Sequence, residues 1–487
     1  MTDGVGIALS THLARLATEE PDRRAVTCAG TSLTRSELDR ETNALARAFQ
    51  ERGVRPGSFV TIALPNGLDF VRAALAAWKV GATPQPLSAA LPPPERDKLI
   101  ELADPALVVG VPAGAAGGRA SIPGGFVADA DDAPLPPMIA PSWKAPASSG
   151  STGAPKLVVS NEPATAEVLL GYAGLFRMRT GGVHLVTAPL HHNAPFLLAA
   201  AALFSGNHVV VMPRFDATET LRLVERHGVD WTFVVPTTMR RIIRLPRAER
   251  DAFDLSSVRI LLHSAEPCPR WLKQQWIDWL GPDRVYEMWS STEQLAGSMI
   301  SGTDWLSHRG SVGRLVVGEI QIRDDEGKQL PPGEVGEIWI RTGPQGMVPY
   351  RYVGATARTR PGGWQSQGDC GWVDENGYVY LTDRKPDMIL VGGANVYPAE
   401  VEAALEEHPQ VLSCCVIGLP DEEYGNVVHA IVQSDAPLEP EVLRTFLRRR
   451  LAPYKVPRSF ERVDHPLRDD GGKLSRSRLR AERLAAS

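Results

Sequence analysis

The sequence predicts an α/β protein with a large first part and a small α+β unit at its C-terminal end. Three observations carry this reading. Short apolar runs such as His208-Val209-Val210-Val211-Met212 and Trp231-Thr232-Phe233-Val234-Val235 alternate with segments of helical periodicity. From 312 to 341 the helical segments stop and the pattern becomes all-β, with turns at Asp325-Glu326-Gly327 and Pro332-Gly333. Past Asp387 the chain restarts as strand, helix, strand, strand, helix. A domain boundary is therefore expected near 384–387.

The elements follow in order. Residues 11–50 read as helix, turn, helix, because Leu13, Leu16 and Ala17, then Leu38, Ala44 and Phe49, recur at helical spacing. Residues 59–64 read as a strand, 70–80 as a helix and 106–109 as a strand. The Gly, Ala and Pro richness of 110–147 predicts a long surface excursion. Strands are expected at 183–188, 208–212, 231–235, 259–263 and 377–381, with helices at 194–204, 217–227 and 271–280. In the C-terminal unit the expected elements are 388–391, 398–407, 411–418, 428–433 and 440–451.

At 487 residues the chain is too long for one ordinary domain. A hydrophobic content of 43% and a charged content of 22% are those of a globular protein. The net charge of −5 gives no reason to expect a nucleic-acid partner. Five cysteines show no paired metal spacing and read as reduced core thiols. The start of the chain lacks a basic-then-apolar signal pattern. The longest apolar run, 194–204, is about half the ~20 residues a membrane span requires. Together these features predict a cytoplasmic protein.

The most informative stretch is Ser148-Ser149-Gly150-Ser151-Thr152-Gly153-Ala154-Pro155-Lys156. Glycines let backbone N–H groups approach an anion, hydroxyls add donors and the lysine adds a charge. That is the chemistry of a triphosphate cradle, although the spacing is not that of a Walker A loop. The alternative is a flexible Gly/Ser linker.

Four further segments bear on the choice: Trp289-Ser290-Ser291-Thr292-Glu293; Gly368-Asp369; Asp383-Arg384 running on through Gly392-Gly393 to Glu402; and Gly471-Gly472-Lys473. In this order and spacing the set resembles the acyl-adenylate-forming superfamily. That group comprises acyl-CoA synthetases, peptide-synthetase adenylation domains and luciferases. Pro189-Leu190-His191-His192-Asn193-Ala194-Pro195-Phe196 and the segment 271–282 are similar to acyl-CoA ligases of the bile-acid type. The resemblance covers nearly the whole chain.

It implies an N-terminal acyl- and nucleotide-binding domain over 1–384, with two α/β sheets and a small β-barrel-like part. A mobile C-terminal domain over 385–487 would carry the catalytic lysine. It implies a ligase that consumes ATP with Mg²⁺, forms an acyl adenylate and passes the acyl group to coenzyme A. Ser149, Gly150, Ser151, Thr152, Gly153 and Lys156 would cradle phosphates, and Thr152 and Glu293 would hold the metal ion. Thr292 would donate to the α-phosphate. Ala265, Glu266, Trp289, Ser290 and Ser291 would flank the nucleotide, Asp369 would take the ribose hydroxyls, and Arg384 ribose or phosphate. Lys473 would bridge the carboxylate and the α-phosphate. His192 would stand near the acyl pocket, Pro386 would be the hinge, and Gly392 and Gly393 would line the path of the thiol. A His191–His192 metal site is not expected, because neighbouring histidines at a strand end point apart. Members are often homodimers; nothing in this sequence bears on that.

Four departures from the superfamily pattern matter. Trp289-Ser290 stands where Tyr-Gly is usual, so Ser290 adds bulk. Glu266 stands where small residues are usual, and could repel phosphates or accept from the adenine amino group. Pro386 restrains the hinge through its fixed φ. Leu390 replaces a lysine that luciferases use, which argues against light emission. The first three leave open a variant that only converts a preformed acyl adenylate to a thioester. Also open is a stand-alone enzyme loading a carrier protein. Residues 191–196 lack the carboxylate that amino-acid-activating domains place there. Retention of Lys473 argues against a non-catalytic binding protein.

Overall fold

The computed structural model describes residues 6–149, 155–343, 348–384, 387–391, 394–469 and 471–486. Among them, the central sheet runs in the order 314–317, 297–301, 285–290, 260–263, 231–234, 183–186, 208–211, 24–28, 31–34. The six strands from Val285–Ser290 to Arg24–Cys28 are mutually parallel, and the strands at both edges are antiparallel. Strands His208–Val211, Trp231–Val234 and Ile260–His263 are buried along their whole length. That is why they read as unbroken apolar runs and not as alternating ones. Helix Asn193–Phe204 is apolar on every side for the same reason: it is packed between layers.

A second, all-parallel sheet orders 83–86, 59–62, 107–109 and 120–122. A third, antiparallel sheet is built from the strands between Glu319 and Arg384, giving the expected all-β part. A small three-stranded sheet pairs Pro155–Ser160 with Tyr350–Val353 on one side and Ala147–Ser149 on the other. The C-terminal unit packs helices Pro398–Glu406 and Pro440–Arg448 on the sheet 413–421, 425–433, 459–463 around its own core. The expected hinge, Pro386, lies outside the described residues, as does Lys385. No helix of the described residues is long and apolar enough to cross a membrane.

Several local expectations are corrected. Residues 11–50 are not helix, turn, helix: the hairpin Arg24–Cys28 and Thr31–Thr34 intervenes between helices Leu9–Glu19 and Arg35–Glu51. Its two-residue turn, Ala29 (φ 48°) and Gly30 (φ 83°), has the left-handed backbone that tight hairpins need. Strand Thr83–Pro86 was not expected because of its prolines; it lies at a sheet edge, where a missing N–H is tolerated. Helix Pro93–Ala103 was missed as well. The stretch 110–147 is not wholly a surface excursion. Its end turns inward, burying Ala140, Trp143, Lys144 and Ala145.

Candidate active site

The strand Pro155–Ser160 brings Lys156 beside the strand that carries Tyr352, whose Cα partner is Val158. The Lys156 ammonium stands 3.9 Å from the Tyr352 ring centre and 3.1 Å from Glu293 Oε1. The Tyr352 hydroxyl donates to the same oxygen at 2.6 Å. Burial pushes the Glu293 carboxyl up. The Tyr352 hydrogen bond and the Lys156 charge outweigh it and hold the group below its ordinary value. The result is a buried, ionised carboxylate next to a lysine, a donor set suited to a hard divalent cation bound with phosphates. Tyr352 was not found from the sequence, because its partners Lys156 and Glu293 lie on other elements. Gly150, Ser151, Thr152 and Gly153 lie outside the described residues, as does the Ser149 side chain.

The segment Trp289-Ser290-Ser291-Thr292-Glu293 begins at the end of strand Val285–Ser290. The Ser290 hydroxyl donates to the Ala296 carbonyl at 3.0 Å, and Ser290 faces Gly297 across the hairpin. The extra bulk is therefore turned into the hairpin and met by a glycine. The Trp289 indole N–H donates to Asp369 Oδ2 at 3.2 Å, and the Gln367 amide donates to Ser291 Oγ at 2.8 Å. These bonds tie Trp289 and Ser291 to the strand where Asp369 and Arg384 are cross-strand partners. The Arg384 side chain is outside the described ones, as are Gly392 and Gly393. Thr292 lines the same cleft.

Glu266 lines the cleft and is held by donors from both domains. Thr237 donates from its backbone N–H to one oxygen at 3.0 Å and from its hydroxyl to the other at 2.9 Å. Arg468 of the C-terminal unit approaches the second oxygen at 3.4 Å. Burial pushes the Glu266 carboxyl up, against the pull of Arg468. Its neighbour Ala265 holds φ 77°, a strained backbone for a residue with a side chain.

The small unit completes the cleft. A side chain on Gly471 would overlap His192, and one on Gly472 would overlap Glu266. Glycine is thus required for this loop to reach the large domain. Asp469 Oδ1 accepts from the backbone N–H of Gly471 at 3.0 Å and of Lys473 at 2.8 Å, which fixes the turn presenting Lys473 to the cleft. His191 and His192 sit in the turn before helix Asn193–Phe204 with ring centres 4.2 Å apart. The expectation that they point apart is corrected: the turn folds the rings toward each other. Burial first, then the Lys473 charge, lowers the His191 pKa to about 4; burial, His191 and Lys473 push His192 well below its ordinary value. Both imidazoles are neutral at pH 7.

The cleft lined by these groups has a volume of about 3160 Å³. Single ligand pockets run to roughly 1,000 Å³, so several substrates fit. One part of its wall is apolar, formed by Val168, Leu175, Leu197, Leu198 and Phe233.

Fold and cleft together define an ATP-dependent, AMP-forming acid–thiol ligase, a two-domain protein whose substrates include ATP with Mg²⁺ and coenzyme A. The family described as AMP-binding enzyme matches residues 13–351, and the AMP-binding enzyme C-terminal domain matches 400–471. The chain belongs to this family. A feruloyl-CoA synthase of an Amycolatopsis species is 34% identical, covering 96% of this chain and 97% of that protein. The fatty acid–[acyl-carrier-protein] ligase ScoC of Streptomyces coeruleorubidus is 30% identical, covering 95% and 94%. Among solved structures, the o-succinylbenzoate CoA synthetase of Bacillus subtilis with its acyl-adenylate intermediate superposes with a TM-score of 0.81. It is 26% identical, covering 96% of this chain and 97% of that one.

Proposed function

We propose that this protein activates a hydrophobic, bulky carboxylic acid, polycyclic or terpenoid in class, and transfers it to coenzyme A. In the first step a carboxylate oxygen attacks the α-phosphorus of ATP and the bond to pyrophosphate breaks. In the second the CoA sulfur attacks the acyl carbon and AMP leaves with the electron pair of the C–O bond. The observation that carries the reading is the seating of Gly471-Gly472 on His192 and Glu266, with Lys473 in the lining of the cleft that also holds Trp289, Thr292 and Asp369.

There the Lys473 ammonium would neutralise the carboxylate and the α-phosphate as they are forced together. Neutral histidines beside it add no second positive charge to repel it. Lys156 would leave Glu293 for the β- and γ-phosphates, freeing that carboxylate, with Thr152, for Mg²⁺. Thr292 would donate to the α-phosphate, and Asp369 and Arg384 would hold the ribose side. The small domain, 385–487, would then turn about Pro386 to bring Gly392-Gly393 to the thiol path. The apolar acyl wall supports a hydrophobic acid. Glu266 and Ser290 are both satisfied by local contacts, so neither weighs against adenylation.

ATP–pyrophosphate exchange across aliphatic, aryl and polycyclic acids, followed by CoA or a carrier protein as acceptor, tests the reading. Exchange with a polycyclic acid and a CoA product are expected. Exchange absent with every acid, beside turnover of a synthetic acyl adenylate, would leave only the thioester step. A carrier-only product would move the protein toward the activity named for the Streptomyces relative.

A further inference from the structure

The acyl wall is not uniformly apolar. The Tyr172 hydroxyl donates to Glu162 Oε2 at 2.7 Å, and both residues line the cleft. Tyr172 sits on helix Ala166–Leu175, the same helix that presents Val168 and Leu175 to the apolar part of the wall. Gln294 lines the same cleft and holds a left-handed backbone at φ 56°. Behind them lies Lys144, 1% exposed, 4.6 Å from the Trp143 ring centre and donating to Asn193 Oδ1. Burial lowers its pKa to about 7, and Glu162 is the larger of the two carboxylate charges opposing that. None of these groups has a part in moving the phosphates or the acyl group.

Such a cluster is costly beside a hydrocarbon. An entirely apolar acid would press CH groups against the Glu162 carboxylate and the Tyr172 oxygen and strip them of water. Protonated Lys144 offsets part of the charge of Glu162, which disfavours a second cation there. The cluster calls for a neutral group that can donate a hydrogen bond.

We propose that Glu162 and Tyr172 form a polar subsite in the acyl pocket that recognises a hydroxyl group on the carbon skeleton of the acid. The hydroxyl donates to Glu162, whose carboxylate the Tyr172 O–H holds in place, while the rest of the skeleton lies on Val168, Leu197 and Phe233. This rests on the acid-activating reading and adds a substrate class to it: hydroxylated hydrophobic acids.

The test is pyrophosphate exchange with matched acids that differ by one hydroxyl, aryl and polycyclic pairs both included. A hydroxylated member is expected to exceed its deoxy partner in kcat/KM by on the order of tenfold to a hundredfold. Glu162→Gln and Tyr172→Phe should each shrink that ratio at least tenfold, mainly through KM, with melting curves recorded beside them. Tyr172→Phe is the milder change and keeps the test alive if Glu162→Gln does not fold. Exchange without a hydroxyl preference in any pair, a preference that survives both substitutions, or an amine analogue that outcompetes the alcohol would overturn the subsite. Absence of exchange with every acid would instead overturn the reading on which it rests.

Discussion

Two adjacent histidines in a turn, next to a lysine from another domain, make a local pH sensor of the docked state. His191 titrates near 4 in the folded protein and near 6.5 when exposed, because burial and Lys473 disfavour its charge. Between those values the unfolded chain binds the proton and the folded chain does not. Stability is therefore full above pH 6.5 and is lost as pH falls toward 4. The window is worth about 3 kcal/mol from His191 alone. Chemical denaturation at pH 7.5, 6 and 5 should show this slope, and His191→Gln should reduce it without abolishing it, since burial also lowers His184, His192, His208 and His263. Lys473→Ala should cut pyrophosphate exchange by on the order of 10²–10³ while sparing thioester formation from synthetic adenylate. Equal exchange by the variant would refute the role given to Lys473. At this scale Lys473 and His192 are visible in the sequence only through motif order, since a Gly-Gly-Lys by itself is an ordinary loop. Tyr352 and Lys144 were not visible at all: each acts through partners far away in sequence.

The hairpin joining Val285–Ser290 to Gly297–Ser301 shows how an element absorbs an unusual residue. Ser290 turns its hydroxyl to Ala296 and is faced by Gly297, so the departure at 290 is answered seven residues later. The next strand depends on Gly313, whose φ is 98° and where a side chain would overlap the Met299 carbonyl oxygen. Gly313→Ala should destabilise the protein by about 3 kcal/mol, read as a lower urea midpoint. Parallel strands were legible because burial on both faces leaves continuous apolar runs. The hairpin 24–28/31–34 and the proline-bearing edge strand 83–86 were not. Short edge or hairpin strands owe their pairing to neighbours rather than to their own pattern.

Across the whole molecule, ionic contacts hold the small unit against the large one. Arg240 and Glu406 pair with both side chains almost fully buried, and Arg244 donates to the Val411 carbonyl. Arg468 stands between Glu266 and Glu402; burial opposes its charge, but the surrounding carboxylates prevail and raise its pKa. Removing one partner of such a pair strands the other, at about 3–5 kcal/mol. Arg240→Leu should therefore loosen the docked arrangement. Faster limited proteolysis between the two units and at least tenfold weaker pyrophosphate exchange are expected, with a smaller loss when synthetic adenylate is supplied. Unchanged proteolysis would show that the pair does not hold the units together.

The sequence by itself determined the layered α/β class, the all-β segment, the separate C-terminal unit and the family. These depend on local periodicity and on motifs whose order along the chain is the information. Only the tertiary structure decided where Glu266 points, that His191 and His192 face each other beside Lys473, and that Glu162 and Tyr172 stand in the same cleft lining as Val168 and Leu175. A carboxylate's role depends on which charges and donors surround it. Those groups come from residues up to about two hundred positions away, brought together by packing that no linear pattern records.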